Sequence, residues 1–516
     1  MLPWKEQSMP QSAIELIRYG NRLIVNSQEA RVFDVLRRVL TCIEVKPLYG
    51  AARVKAKREN KSLMMTVPID MFTRDVKNRL VTTFGFYKRV TKQLKAHGYS
   101  VKYKNLTEYP RPDAFIADWD RLNSLNFELR YRQDEALQVI EKYINGRIDC
   151  PPGWGKSFVI GCAAILFPDA KIVVSTKSVD VMTQRLYPEL AQMIPEVGLV
   201  GGGRKVPGHR IFCVTADSLH HAPADADFVF YDECHEAPVD SISAKLARFT
   251  HAHMWGFSAS HDMRIDGKDV ICEGLFGPVR LKVSYDEAVQ HEMVVPLVVQ
   301  WNNVMADYDP VAGIDDPIER KRLGIWQNET RNRVIAEDAK SYDASVQTLI
   351  TVETIEHALH LKRLLPEFTL VYREMGIDEG DQRYFDKRGL LPPDFEVITA
   401  SKRQELTQAF EQGELKKVIV TTVWNRGVNF RKLQVLIRGD GGASPINDVQ
   451  IPGRTSRLHH DKSYGIVHDY KDQFNSRFAK RADKRATSYS QMGWEQLAPT
   501  QRSRLLEYLS GEISDK

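Results

Sequence analysis

CPPGWGKSFVIGCAAIL (150–166) decides how this chain is read. A glycine-bearing loop that opens an apolar helix presents backbone N–H groups to phosphate. A lysine at its end reaches the terminal phosphates, and the next hydroxyl can ligate magnesium. Lys156 and Ser157 end such a loop here, and Cys150 stands where the pattern GxxxxGK[ST] has its first glycine. Pro152, Gly153, Trp154, Gly155, Lys156 and Ser157 are therefore the candidate nucleotide-binding residues.

A second stretch, FVFYDECHEAP (228–238), runs an apolar strand into Asp232-Glu233-Cys234-His235. An acid at the carboxyl end of a strand can hold the magnesium that bridges phosphates, and the next acid can orient and deprotonate an attacking water. Asp232 follows Lys156 by 76 residues. Loop and carboxylates can thus meet across one nucleotide, with Ser157 and Asp232 as metal ligands and Lys156, Asp232 and Glu233 as catalytic candidates.

Around these motifs, short β-rich runs alternate with helical patterns: KIVVST, RIFCVT, FVFYDE and MWGFSAS. That alternation is the mark of a parallel sheet wrapped by helices. A second series, TLITVE (348–353), VIVTTV (418–423), VLIRGD (435–440) and YGIVHDY (464–470), predicts a second lobe of the same class. The expected α/β organisation is an accessory α+β domain over 1–120, a first lobe over 121–288, a second over 289–470 and a helical tail over 471–516. The stretch 286–345, with ADYDPVAGIDDP (306–317), reads as the connection between the lobes.

Composition sets the outer limits. At 516 residues, with 43% apolar and 27% charged, the chain has material for about three domains and is not a disordered polymer. No run approaches the roughly 20 apolar residues of a spanning helix, and MLPWKEQSMPQ lacks a secretion signal's apolar centre, so no membrane role and a cytoplasmic location are expected. The six scattered cysteines form no CxxC pair and read as reduced thiols. Net charge is +5, yet residues 51–104 carry 14 Lys and Arg against 3 Asp and Glu, which points to a polyanion partner. Within that stretch FGFYKRVTKQLKAHGY predicts a helix ended by Gly98, with Phe86, Val90 and Leu94 on one side and Lys88, Lys92 and Lys95 on the other. The three lysines are candidate nucleic-acid contacts.

The order of these elements resembles a superfamily 2 DExH-box helicase, in the group of XPB and the bacteriophage UvsW-type enzymes, over about 123–470. Leu129-Arg130-Tyr131-Arg132-Gln133 is similar to the adenine-reading Q-motif segment, which implies that Gln133 contacts adenine, with Arg132 where tyrosine is usual. Ser175-Thr176-Lys177 and Thr215 resemble motifs that grip a nucleic-acid backbone, Thr176, Lys177 and Thr215 being the implied contacts. Ser258-Ala259-Ser260 resembles the SAT coupling motif, and RIDGKDVICEGLFGPV (264–279) resembles the stretch that follows it in XPB-like proteins. Thr421 to Asn429 is similar to motif V, implying that Thr422 touches nucleic acid and that Gly427 and Asn429 touch nucleotide. QIPGRTSR (450–457) fits motif VI, making Gln450, Arg454 and Arg457 catalytic candidates. Their spacing of three places both arginines on one helical face.

The resemblance implies two RecA-like lobes, use of ATP and Mg²⁺, and a helicase or translocase acting on single-stranded, forked or branched DNA, with RNA in hybrids as a further partner. A duplex translocase that does not separate strands, an RNA helicase and a non-catalytic nucleic-acid clamp are the alternative readings. With near-neutral lobes and no heptad repeat a monomer is expected, working beside replication or recombination proteins.

Overall fold

The computed structural model describes residues 13–48, 50–59, 61–62, 64–195, 197–259, 269–373, 378–392, 395–424, 428 and 430–510. The chain forms two compact units, Met1–Cys150 with Lys156–Lys282, and Pro151–Gly155 with Val283–Lys516.

The first unit begins with a five-stranded sheet in the order Phe72–Arg74, Leu80–Thr83, Arg22–Asn26, Ile14–Tyr19, Val101–Asn105. Leu23 and Val25 alternate with exposed Arg22 and Asn26, the period-two pattern of a sheet with one covered face. Helices Ala30–Leu40 and Tyr87–Ala96 supply the cover, and Leu36, Leu40, Phe86, Val90 and Leu94 share one core. The helix expected from FGFYKRVTKQLKAHGY is thus present, preceded by a 3-10 turn over Phe84–Phe86 and followed by Gly98 at φ +85°. Lys88, Lys92 and Lys95 are all exposed on it.

These elements are keyed to helix Asp269–Phe276 of the same unit. A Cβ on Gly85 would stand 2.3 Å from the carbonyl oxygen of Glu273, so only glycine allows the approach. Arg89, on the basic helix, closes the joint as an ion pair with Glu273.

The large sheet has eight strands in the order Arg204–Val206, Val197–Gly201, Ile211–Thr215, Ile172–Thr176, Phe228–Asp232, His253–Ser258, Asn145–Asp149, Val279–Lys282. All pairings are parallel except that of the first two strands. Every residue of Ile172–Thr176, Phe228–Asp232 and His253–Ser258 is buried, as expected where helices cover both faces. Register brings the motifs to one edge: Thr176 pairs with Thr215, Tyr231 with Ser175, Asp232 with Phe257 and Ser258 with Asp149. The carboxyl ends of parallel strands are where ligands of such sheets bind.

The second unit holds a seven-stranded, wholly parallel sheet in the order Thr369–Val371, Lys417–Val420, Thr348–Thr351, Val435–Arg438, Gly465–Asp472, Leu297–Val304, Glu495–Leu497. The strands expected from the second series are all in it. Two features differ from the sequence reading. Leu297–Val304, inside the stretch read as a connection, is an interior strand paired with Gly465–Asp472. Residues 471–516, read as a helical tail, contribute helix Ser476–Gln491 and then strand Glu495–Leu497, which pairs with Leu297–Val304. All six cysteines are buried free thiols.

Candidate nucleotide site

Strand Asn145–Asp149 delivers the chain to the loop, and helix Lys156–Leu166 carries it away. The backbone N–H of Cys150 donates to Ser258 O at 3.1 Å, tying the loop's start to the neighbouring strand end. Gly153 and Gly155 lie at φ +92° and +103°, a backbone region that side chains rarely adopt. The Cys150 side chain is fully buried and burial pushes its thiol up, so a packed residue occupies the position of the pattern's first glycine. Trp154 is also fully buried.

Lys156 leaves the loop inward. Its Nζ donates to Glu233 Oε1 at 2.9 Å. Burial works against the ammonium, but Glu233 and Asp232 outweigh it and raise its pKa. Burial likewise opposes ionisation of Glu233, yet Lys156 and His235 bring its carboxyl down to about 2. Asp232, beside it, moves the other way, raised first by burial and then by the Glu233 charge. Glu233 itself sits at φ +55°, ψ 52°, a left-handed conformation costly for a side-chain-bearing residue and frequent at functional sites.

Neither carboxylate oxygen of Asp232 has a side-chain hydrogen-bond partner among the described residues, although both are buried. An orphaned buried carboxylate is costly unless a cation completes it. Ser157, at the helix start, and Asp232 form a donor set of the hard oxygen type that magnesium prefers, so the residues present fit the ion. Behind them His235 Nδ1 and Ser258 Oγ share a 2.7 Å hydrogen bond, and His235 Nδ1 lies 3.4 Å from Glu233 Oε2. A direct chain of contacts therefore links the acid to Ser258, the first residue of the SAT-like motif. Ser260 and residues 264–268 of RIDGKDVICEGLFGPV lie outside the described residues.

Gln133 opens helix Gln133–Lys142 and is fully buried, with its Oε1 accepting from the Arg130 N–H at 2.9 Å. Thr176 and Thr215 sit side by side but buried, whereas Lys177 next to them is exposed. A backbone grip at this strand edge would thus fall first to Lys177 rather than to the two hydroxyls.

In the second unit, Thr422 is exposed on a 3-10 turn over Thr422–Trp424, and Gly427 and Asn429 lie outside the described residues. Gln450 ends helix Pro445–Gln450. The expected single helical face for Arg454 and Arg457 is not formed. Pro452, which lacks an N–H and crowds the preceding turn, converts the chain to a 3-10 turn over Pro452–Arg454, and Arg457 follows in a non-helical bend. Arg454 is buried, and Arg457 Nη1 donates to Val428 O at 3.0 Å.

One residue near the carboxylates carried no sequence signal: Arg185, whose Nη2 donates to Ser157 Oγ at 3.1 Å. Only the folded chain brings these residues, 28 apart, together.

The helicase conserved C-terminal domain family matches residues 343–459. The DNA 3'-5' translocase XPB2 of Sulfurisphaera tokodaii is 24% identical over 393 residues, covering 71% of this chain and 88% of its own length. Putative helicase 22 of a Sulfolobus islandicus filamentous virus is 22% identical over 396 residues, covering 71% and 68%. Among solved structures, S. cerevisiae Dbp5 bound to RNA and ADP BeF3 matches with a TM-score of 0.51 at 12% identity, covering 78% of this chain and 97% of that one, a likeness of fold. The ordered motifs, the two parallel α/β sheets and these likenesses together support a superfamily 2 helicase reading of the chain, similar to the XPB-like group.

Proposed function

We propose that the protein is an ATP- and Mg²⁺-dependent DNA helicase or translocase. The observation that carries this reading is the constellation of Lys156, Glu233, Asp232 and Ser157 at one sheet edge, with Asp232 buried and uncompleted. Lys156 and the N–H groups of the loop would hold the phosphates of ATP. Ser157 and Asp232 would hold the ion, which when bound neutralises charge on the transferring phosphoryl group. Glu233, ionised throughout the physiological range, would orient the attacking water and accept its proton, and Lys156 would exchange Glu233 for phosphate as its partner. The His235–Ser258 hydrogen bond gives the state of Glu233 a route to Ser258, the first residue of the SAT-like motif.

DNA is favoured as substrate by the XPB2 translocase likeness and by the basic N-terminal domain, whose Lys88, Lys92 and Lys95 stand exposed on one helix. Lys177 and Thr422 are the exposed candidates for backbone contact in the two lobes.

The test is ATP hydrolysis by the wild type and Glu233→Gln with no nucleic acid, single-stranded DNA, forked DNA and RNA in parallel. Stimulation by forked DNA that disappears in the variant is expected. Turnover stimulated by RNA alone would overturn the DNA assignment, and bound ATP without turnover on any substrate would leave a clamp in place of a motor.

A further inference from the structure

The helical segment from Val179 to Met193 is not a regular α-helix. Between Val179–Val181 and Tyr187–Met193 it widens into a π turn over Met182–Leu186. Such turns insert one residue into a helix and re-aim the side chains around it, and they concentrate at functional sites. Arg185 lies in this turn, and it is aimed at Ser157 Oγ, 3.1 Å from its Nη2. Lys156, the other cation of the site, is committed to Glu233 by its 2.9 Å hydrogen bond. Arg185 is therefore a second cation of this site beside Lys156, and it holds the hydroxyl oxygen of the pair assigned to the metal.

We propose that Arg185 is a positioning residue that stands in for the divalent cation while the site is without metal. It holds the Ser157 hydroxyl in place and adds positive charge beside the buried carboxylates. A divalent ion between Ser157 and Asp232 would repel the guanidinium, and Glu189, one turn further along and 3.9 Å from Arg185 Nε, offers it a partner to move to. Metal loading is then an exchange of one cation for another, and it proceeds readily only when the nucleotide's phosphates add ligands and negative charge. The inference rests on the nucleotide-site reading given above.

The test is Mn²⁺ binding to nucleotide-free protein, followed by the electron paramagnetic resonance of the free ion, in the wild type, Arg185→Gln and Arg185→Lys. Removing a neighbouring unit charge should tighten Mn²⁺ binding by about tenfold in Arg185→Gln. Arg185→Lys, which keeps the charge without the planar fork, should fall between the two. Adding Asp232→Asn should abolish the tight binding, which locates the ion. Titration with a fluorescent ATP analogue in excess Mg²⁺ separates the two readings. If wild type and both variants bind the analogue while Mn²⁺ affinity does not change, the stand-in role is overturned and the nucleotide site survives. If the folded wild type binds no analogue, the nucleotide site fails first. If Arg185→Gln loses the analogue with its fold intact, Arg185 is a phosphate contact and the stand-in role is equally overturned.

Discussion

Lys156 Nζ lies 2.9 Å from Glu233 Oε1, although the two residues are 77 positions apart in the chain. The lysine proposed to reach phosphate and the acid proposed to activate water are thus hydrogen-bonded to each other. Glu233→Gln keeps the shape and an acceptor but loses the charge and the basicity. Turnover should fall by roughly 10²–10⁴, the contribution of a positioned general base, while binding of an ATP analogue persists. Parallel steady-state and equilibrium titrations check this, and a variant with unimpaired turnover would remove Glu233 from the chemistry.

Lys88, Lys92 and Lys95 project from a helix that Gly85 and Arg89 anchor to helix Asp269–Phe276 of the first unit. Replacing all three with glutamate should weaken duplex and forked DNA binding. It should also flatten the salt dependence, by about 0.9 in log–log slope for each phosphate that is no longer neutralised. Fluorescence anisotropy at several salt concentrations reads both quantities. Equal affinity and slope would exclude this helix from the interface.

His253 is buried between Phe115, whose ring stacks on it at 4.1 Å, and Tyr109 and Phe228. Burial lowers its pKa to about 3, helped by the Arg18 charge. Between pH 6.5 and 3 the unfolded chain therefore binds a proton that the native one refuses. Stability from this group is complete above about pH 6.5 and drains away as pH falls toward 3. His253→Phe retains the aromatic packing and removes the titration, so its thermal midpoint should decline less between about pH 7 and 4.5 than that of the wild type. Parallel declines would show that other groups govern acid unfolding.

In the second unit Arg485 grips Asp469 through Nε and Nη2 at 2.8–3.1 Å, and Tyr489 Oη donates to the same carboxylate at 2.7 Å. All three side chains are fully buried. Asp469→Ala strands a guanidinium and should destabilise the unit by about 3–5 kcal/mol, the usual cost of breaking a buried pair from one side. A urea titration followed by tryptophan fluorescence measures it, and a decrease under about 1 kcal/mol would mean that water reaches Arg485.

Much of this was legible along the chain. Phe86, Val90 and Leu94 announce their helix because a buried helical face repeats every three to four residues whatever it packs on. The loop ending in Lys156-Ser157 and the acids Asp232 and Glu233 announce their site because phosphate and metal chemistry demand few residue types in a set local order. Other elements stayed hidden. Gln300 and Asn302 interrupt the apolar run of Leu297–Val304 at buried positions, so its place inside a sheet is set by its neighbours and not by its own pattern. Arg331 and Asp472 look like surface charges until folding brings them, 141 residues apart, to 2.9 Å. Arg454 and Arg457 have helical spacing, yet Pro452 breaks the helix that would have joined them.

Sequence by itself determined the fold class, the motif order and which residues are candidates to meet phosphate, since these depend on local periodicity and on side-chain chemistry. The partners of the charged groups were decided only by tertiary structure: Lys156 with Glu233, Arg185 with Ser157, Arg485 with Asp469. A charge's partner depends on which distant strand ends the parallel register brings to the same edge, and no stretch of chain carries that information alone.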